Sequence, residues 1–177
     1  IGASAFEGCS ALTSTKIDSS SKLTELGDKA FAGTAITSFT VPKTVTKIGN
    51  GAFEGCAKLL YIDMKGSAPT IGTGVLDNTT PLAAFHYLAS DTTYTVEDGK
   101  WNGYPATTDK ISDAFITFEL KASDAEDAAV IATAKISYTG ELNITASDKK
   151  AMLPDFASED AMPWHEYKAY ITAVTMS

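Results

Sequence analysis

Apolar and polar positions in the first ninety residues follow one recurring frame. An Ile or Leu followed by Gly opens each unit, at Ile1, Leu26, Ile48 and Ile71, so the units start 25, 22 and 23 residues apart. Phe6, Phe31, Phe53 and Leu76 follow at one common offset, and Cys9, Thr34, Cys56 and Thr79 at another. Behind each comes an apolar trio: Leu12, Thr15 and Ile17; Ile36, Phe39 and Val41; Leu59, Ile62 and Met64; Leu82, Phe85 and Tyr87. The alternation within each trio predicts a short strand with one face turned inward and the other outward.

A period of this length is the signature of stacked units that bury a shared core. The strands are expected to pair side by side into a parallel sheet. The Ile-Gly and Ala-Phe half of each unit returns along the other side and buries its Phe between the two layers. Gly2, Gly27, Gly49 and Gly72 share one register and are expected where a side chain would crowd the backbone. Cys9 and Cys56 lie two units apart. Adjacent strands are about 4.8 Å apart, which puts the pair roughly 10 Å from each other. A disulfide needs Cα atoms within about 7 Å, so two free, buried thiols are expected. The residues between the inward apolar ones form two outward columns: Ser14, Ser38, Tyr61 and Ala84, and Lys16, Thr40, Asp63 and His86. They are either a partner-binding face or merely solvated polar positions. Tyr61 alone has the bulk of an anchor.

This frame closely resembles the BspA-type, or treponemal, leucine-rich repeat, whose consensus runs approximately L-x-x-I-x-I-P-x-x-V-x-x-I-G-x-x-A-F-x-x-C. The best match is ITSFTVPKTVTKIGNGAFEGC, from Ile36 to Cys56. The resemblance covers residues 1 to about 75 and departs at the fourth unit, where Val75, Leu76 and Thr79 replace the expected Ala, Phe and Cys. It implies a leucine-rich-repeat solenoid of short parallel β-strands with an irregular or short-helical outer side, a C-terminal cap and a small β-rich module after it. It also implies a non-enzymatic adhesion module of a bacterial cell-surface or secreted protein. The partner it implies is a protein ligand, such as the host matrix proteins fibronectin and fibrinogen, bound on the concave face at Ser14, Lys16, Ser38, Thr40, Tyr61, Asp63 and His86.

The expected division is a repeat domain over 1–110, its cap starting near residue 77, and a β-rich module over 111–177. Residues 77–110 bring Phe85, Tyr87, Tyr94, Trp101 and Tyr104, read as cap core, with a sugar-stacking or protein-binding platform as the alternative. Beyond Ile111, the runs AFITFELKA, AAVIATAKISY and GELNITA predict three antiparallel strands. The end is similar to the segment that precedes many BspA-type arrays. Its Trp164, Tyr167, Ile171 and Val174 fit a short helix passing into a strand. The chain thus opens inside an array and closes on a cap-like segment. Either it is a piece of a longer multi-array protein, or its last segment folds back over an exposed edge. Weak self-association through the uncapped first repeat is expected.

Composition narrows the chemistry. All 14 basic residues among the 177 are Lys, against 22 acids, for a net charge of -8. Without Arg, the fork that reads phosphates and guanine edges is missing, and nucleic-acid binding is not expected. Residues 1–75 hold 7 Lys and 6 acids (+1), and 76–177 hold 7 Lys and 16 acids (-9). No apolar run is long enough to span a bilayer. His86 and His165 are isolated from each other and from any metal or catalytic motif, and no nucleophile elbow or phosphate loop occurs. Asp124, Glu126 and Asp127, and Asp155, Glu159 and Asp160, read as solvated turns, with calcium binding as the alternative. Asn78-Thr79-Thr80 and Asn143-Ile144-Thr145 are glycosylation sequons. No enzyme and no cofactor are expected. The alternative to adhesion through the repeats is a carbohydrate-binding or cell-wall-anchoring β-module over 111–177, with the repeats as a spacer.

Overall fold

The computed structural model describes residues 1–80, 83–108, 114–121, 130–137, 141–146 and 173–176, in two compact units, Ile1–Lys110 and Ile111–Ser177. The first is a β-solenoid of about four coils carrying two parallel ladders. One joins β1 (Glu25–Leu26), β3 (Lys47–Ile48) and β5 (Thr70–Ile71); the other joins β2 (Ser38–Val41), β4 (Tyr61–Met64) and β6 (Ala84–His86). The second ladder pairs Phe39 with Ile62 and Ile62 with Phe85, so like positions of successive repeats stand side by side. Between the ladders, the Phe6, Phe31 and Phe53 rings stack at centroid distances of 5.1 and 5.7 Å, and Phe39 tilts across the last two at 4.8 and 5.1 Å.

The outer side consists of turns, and no helix occurs among the described residues of this unit. Two left-handed residues shape each turn. The first is Ser4, Lys29, Gly51 or Gly74, with φ of 55, 55, 58 and 65°; the second is Gly8, Gly33, Gly55 or Asn78, with φ of 73, 68, 68 and 56°. The second position favours Gly because a Cβ is strained there. Its backbone N–H groups reach the next coil: Ser4 donates to the Asp28 carbonyl, Phe6 to Ala30 and Gly8 to Ala32, and the pattern repeats through Phe53 to Val75. The ladder of β1, β3 and β5 donates in the opposite sense, Gly27 to Ile1, Gly49 to Leu26 and Gly72 to Ile48.

The Ile-Gly glycines are a case of close approach. A Cβ on Gly27 would fall 2.4 Å from the Ala3 nitrogen, on Gly49 2.5 Å from that of Asp28, and on Gly72 2.6 Å from that of Asn50. One on Gly2 would meet nothing within 4 Å. Crowding thus comes from the preceding coil, and no coil precedes Gly2 among the described residues.

The first repeat departs from expectation. Leu12, Thr15 and Ile17 lie outside any strand, in a segment tied to the sheet by a bond from the Thr37 nitrogen to the Thr13 carbonyl at 3.4 Å. This unit is the longest, and behind Ile17 the Asp18 carboxylate takes the Ser20 nitrogen at 2.8 Å into a tight polar turn.

The cap is a meander of β7 (Val96–Glu97), β8 (Lys100–Trp101) and β9 (Tyr104–Thr107), with Asp98-Gly99 and Asn102-Gly103 at its two tips. All four tip residues have positive φ, 49, 70, 49 and 84° in order, as two-residue hairpin loops require. β9 pairs in parallel with β6, matching Phe85 to Ala106 and His86 to Thr107, so the sheet continues past the last repeat. Buried Trp101 meets Phe85 edge-on at 5.3 Å, and the Tyr94 ring meets Trp101 at 5.1 Å.

The second unit is a four-stranded sheet in which β10 (Ala114–Lys121), β11 (Val130–Ser137) and β12 (Glu141–Ala146) are antiparallel. These are the three strands expected from the alternating runs. Leu120, Ala132, Ala134, Ile136, Leu142 and Ile144 form its buried face. At the chain end, β13 (Ala173–Met176) pairs in parallel with β12, matching Leu142 to Val174. That strand folds back on an edge of its own unit.

Candidate functional site

The outward face of the ladder of β2, β4, β6 and β9 carries the candidate residues. Register sets Ser38 beside Tyr61 and Tyr61 beside Ala84, and it sets Thr40 beside Asp63, Asp63 beside His86 and His86 beside Thr107. Neighbouring strands hold such side chains on a grid of about 4.8 Å. The small Ala84 leaves room next to Tyr61, whose ring leans edge-on to the His86 imidazole at a centroid distance of 5.8 Å. Asp63, mostly shielded, is ion-paired with exposed Lys65 at 2.7 Å. The face therefore offers a half-buried aromatic ring, two hydroxyls, and a charge pair whose two signs largely cancel.

Two expectations for this face are corrected. Ser14 and Lys16 do not join the grid, because the first repeat forms no strand. His86 is on the expected column but only 4% exposed. β6 is an interior strand, with β9 on its far side and the Tyr61 ring over its near side. The sequence placed it last in the sheet because it could not show that the cap would add another strand.

The cysteines are both free, as expected, but Cys9 is exposed and only Cys56 is buried. Among the described residues no coil precedes that of Cys9. The Cys56 thiol donates to the Phe31 carbonyl at 3.2 Å and lies 3.3 Å from the Thr34 hydroxyl, in the Cys and Thr register noted above. Burial pushes this thiol's pKa up, against smaller lowering effects of the Thr34 and Gly33 hydrogen bonds. It is held as a packed thiol, not an ionised nucleophile.

A second polar ladder escaped the sequence reading. The residue after each Ile-Gly pair is Ala3, Asp28, Asn50 or Thr73. The Asp28 carboxylate accepts from the Asn50 nitrogen at 2.8 Å and its side-chain amide at 3.3 Å. The Asn50 amide oxygen in turn accepts from the Thr73 nitrogen at 3.0 Å and hydroxyl at 3.2 Å. Lys29 lies nearby between Glu7 and Glu54, at 3.8 and 4.0 Å. Four chemically different side chains at one register give no visible repeat, so only their spacing was available as a signal.

Among the described residues, no group of three or more His, Cys, Asp and Glu could hold a metal ion, and no helix is long and apolar enough to cross a membrane. Asp124, Glu126, Asp127, Asp155, Glu159, Asp160, Trp164, His165, Tyr167 and Ile171 lie outside the described residues. The sequon residue Asn78 is exposed in the turn of the fourth coil, and Asn143 is on β12.

The family model described as BspA type Leucine rich repeat region (6 copies) matches residues 1–97, more than half of the chain. The chain belongs to the BspA-type leucine-rich repeat family. Four coils of that family's frame are present here, closed by a meander in which Val96 and Glu97 are the last matched residues. As a BspA-type array, this region is a protein-interaction repeat module. No curated protein and no solved structure matched the sequence.

Proposed function

We propose that the BspA-type array is an adhesion module of a bacterial cell-surface or secreted protein, binding a protein ligand through Ser38, Thr40, Tyr61 and Asp63 on the outward face of β2 and β4. The observation that carries this reading is the Tyr61 ring, half-buried, braced edge-on by His86 at 5.8 Å and surrounded by short side chains. A pre-positioned aromatic ring loses little conformational freedom when a partner covers it, and such rings dominate protein interfaces. The near cancellation of charge at Asp63 and Lys65 favours contact through shape and hydrogen bonds over long-range steering. Ser14 and Lys16 border this face as loop residues.

The test is binding of the full chain to immobilised fibronectin and fibrinogen, the partners the family resemblance implies. Tyr61→Ala is expected to weaken binding by roughly tenfold or more, as anchor truncations do, and Thr40→Arg to block it. Lys47→Ala, exposed on β3 in the other ladder, should bind like the parent. Equal losses in all three variants, or none in the first two, would overturn the reading. Glycan binding that both face variants leave intact would favour the β-module over 111–177.

A further inference from the structure

The chain contains two Asn-Gly steps, Asn50-Gly51 and Asn102-Gly103. Such a step can close on itself. The Gly nitrogen attacks the Asn side-chain carbonyl carbon, loses its proton, and expels ammonia to leave a five-membered succinimide. Water then opens the ring at either carbonyl, giving aspartate or isoaspartate. Sequence marks both steps equally, and both asparagines are exposed.

The fold separates them. At Asn50 the amide oxygen holds the Thr73 nitrogen and hydroxyl, and the amide nitrogen donates to Asp28. The attacking atom is tied as well, since the buried Gly51 nitrogen donates to the Thr73 carbonyl at 2.9 Å. Closing the ring there requires local opening of three coils' worth of bonds. Asn102 and Gly103 form the two-residue tip between β8 and β9, where the ladder closes through Trp101 and Tyr104. In a tip of this kind the second residue's N–H stands outside the ladder. A Cβ built on Gly103 would meet nothing within 4 Å, so there is open space for the ring.

We propose that Asn102 is a spontaneous modification site, ageing to isoaspartate while Asn50 is spared, and that the isoaspartate loosens the cap. Isoaspartate lengthens the backbone by one carbon, which a two-residue tip cannot absorb without shifting the Trp101–Tyr104 pair. Those residues bind the cap to the last coil, through the ring of Trp101 against Phe85 and the hydroxyl of Tyr104 between Gly72 and Val75.

The experiment incubates the full chain at mildly alkaline pH, folded and in denaturant, and follows both steps by peptide mapping with isoaspartyl-specific methylation. In the folded chain Asn102 is expected to react at least about tenfold faster than Asn50, because Asn50 must first break several hydrogen bonds. In denaturant the two rates should converge. The aged fraction, separated by its added negative charge, should show faster amide hydrogen exchange across Tyr104–Thr107. Equal folded-state rates, a faster Asn50, or an intact Asn102 would overturn the site. Unchanged exchange in the aged fraction would overturn the loosening.

Discussion

The Tyr104 hydroxyl donates to the Gly72 carbonyl at 3.2 Å and accepts from the Val75 nitrogen at 3.0 Å. A cap side chain is thereby inserted between two backbone groups whose equivalents in earlier coils bond to each other, Ala5 nitrogen to the Gly2 carbonyl at 3.4 Å and Ala30 nitrogen to the Gly27 carbonyl at 3.2 Å. Val75 is fully buried, so no water can easily replace the lost partner. Tyr104→Phe keeps the ring but takes away the hydroxyl that joins that N–H to the Gly72 carbonyl. It is expected to destabilise the first unit by about 1–3 kcal/mol, measured by urea denaturation, with faster hydrogen exchange at Val75.

Close approach of coils predicts a contrast between two glycines that each follow Ile at the same register. Gly49→Ala would push a methyl to 2.5 Å from the Asp28 nitrogen and 2.6 Å from the Gly27 carbonyl carbon. The backbone of the preceding coil cannot give way cheaply, so a loss of roughly 1–3 kcal/mol or more is expected. Gly2→Ala meets no neighbour and should stay within about 0.5 kcal/mol of the parent. Comparable losses in both would mean that the glycine acts through something other than its predecessor coil.

The two thiols should differ sharply in reactivity. Cys9 is exposed, whereas Cys56 is buried and its pKa is raised. An aromatic disulfide reagent at neutral pH is expected to titrate one thiol rapidly and the second only when the chain unfolds. Cys56 modification at the Cys9 rate would show that the Phe and Cys layers open readily. Cys9 is also the better handle for attaching a probe without disturbing the core.

Alkaline pH should weaken the first unit. Burial raises the Tyr94 phenol above its ordinary value of 10.0, with a smaller contribution from Asp91, and its hydroxyl donates to the Gly66 carbonyl at 2.9 Å. Its folded pKa exceeds its unfolded one, so the stabilisation is complete below pH 10.0 and is lost as pH climbs through the folded value. Cys56 acts in the same sense from its ordinary value of 9.0 upward. Tyr94→Phe is expected to flatten the decline of denaturation midpoint above pH 10. A decline unchanged in slope would exclude Tyr94 as its source.

Features carried by like residues at a fixed spacing could be read from the sequence. The Phe31 and Phe53 stack, the crowded Gly27, Gly49 and Gly72, and the alignment of Ser38 with Tyr61 and Ala84 all follow from the period alone. Features set by a coil's neighbours were not visible. Thr15 and Cys9 carry the repeat pattern, yet Thr15 lies outside any strand and Cys9 is exposed where Cys56 is buried. His86 is buried by β9, a strand that belongs to no repeat. The ladder of Asp28, Asn50 and Thr73 depends on complementary donors and acceptors, which similarity between repeats cannot reveal.

Backbone bonds between coils use the same atoms at every step, so they do not distinguish one coil from another. An array of this kind can gain, lose or exchange coils by duplication with its main-chain bonding intact. The side chains at positions 28, 50 and 73 do make the distinction. Asp28 only accepts, Asn50 donates to it and accepts from beyond, and Thr73 donates. Exchanging the second and third coils would leave Thr73 a carboxylate to donate to, but would set the Asn amide oxygen against that acid, which has no side-chain donor to replace the Thr73 hydroxyl. Hence the order of these coils is recorded in a chain of side-chain donors and acceptors, and shuffled arrays should differ in stability even when every coil is retained.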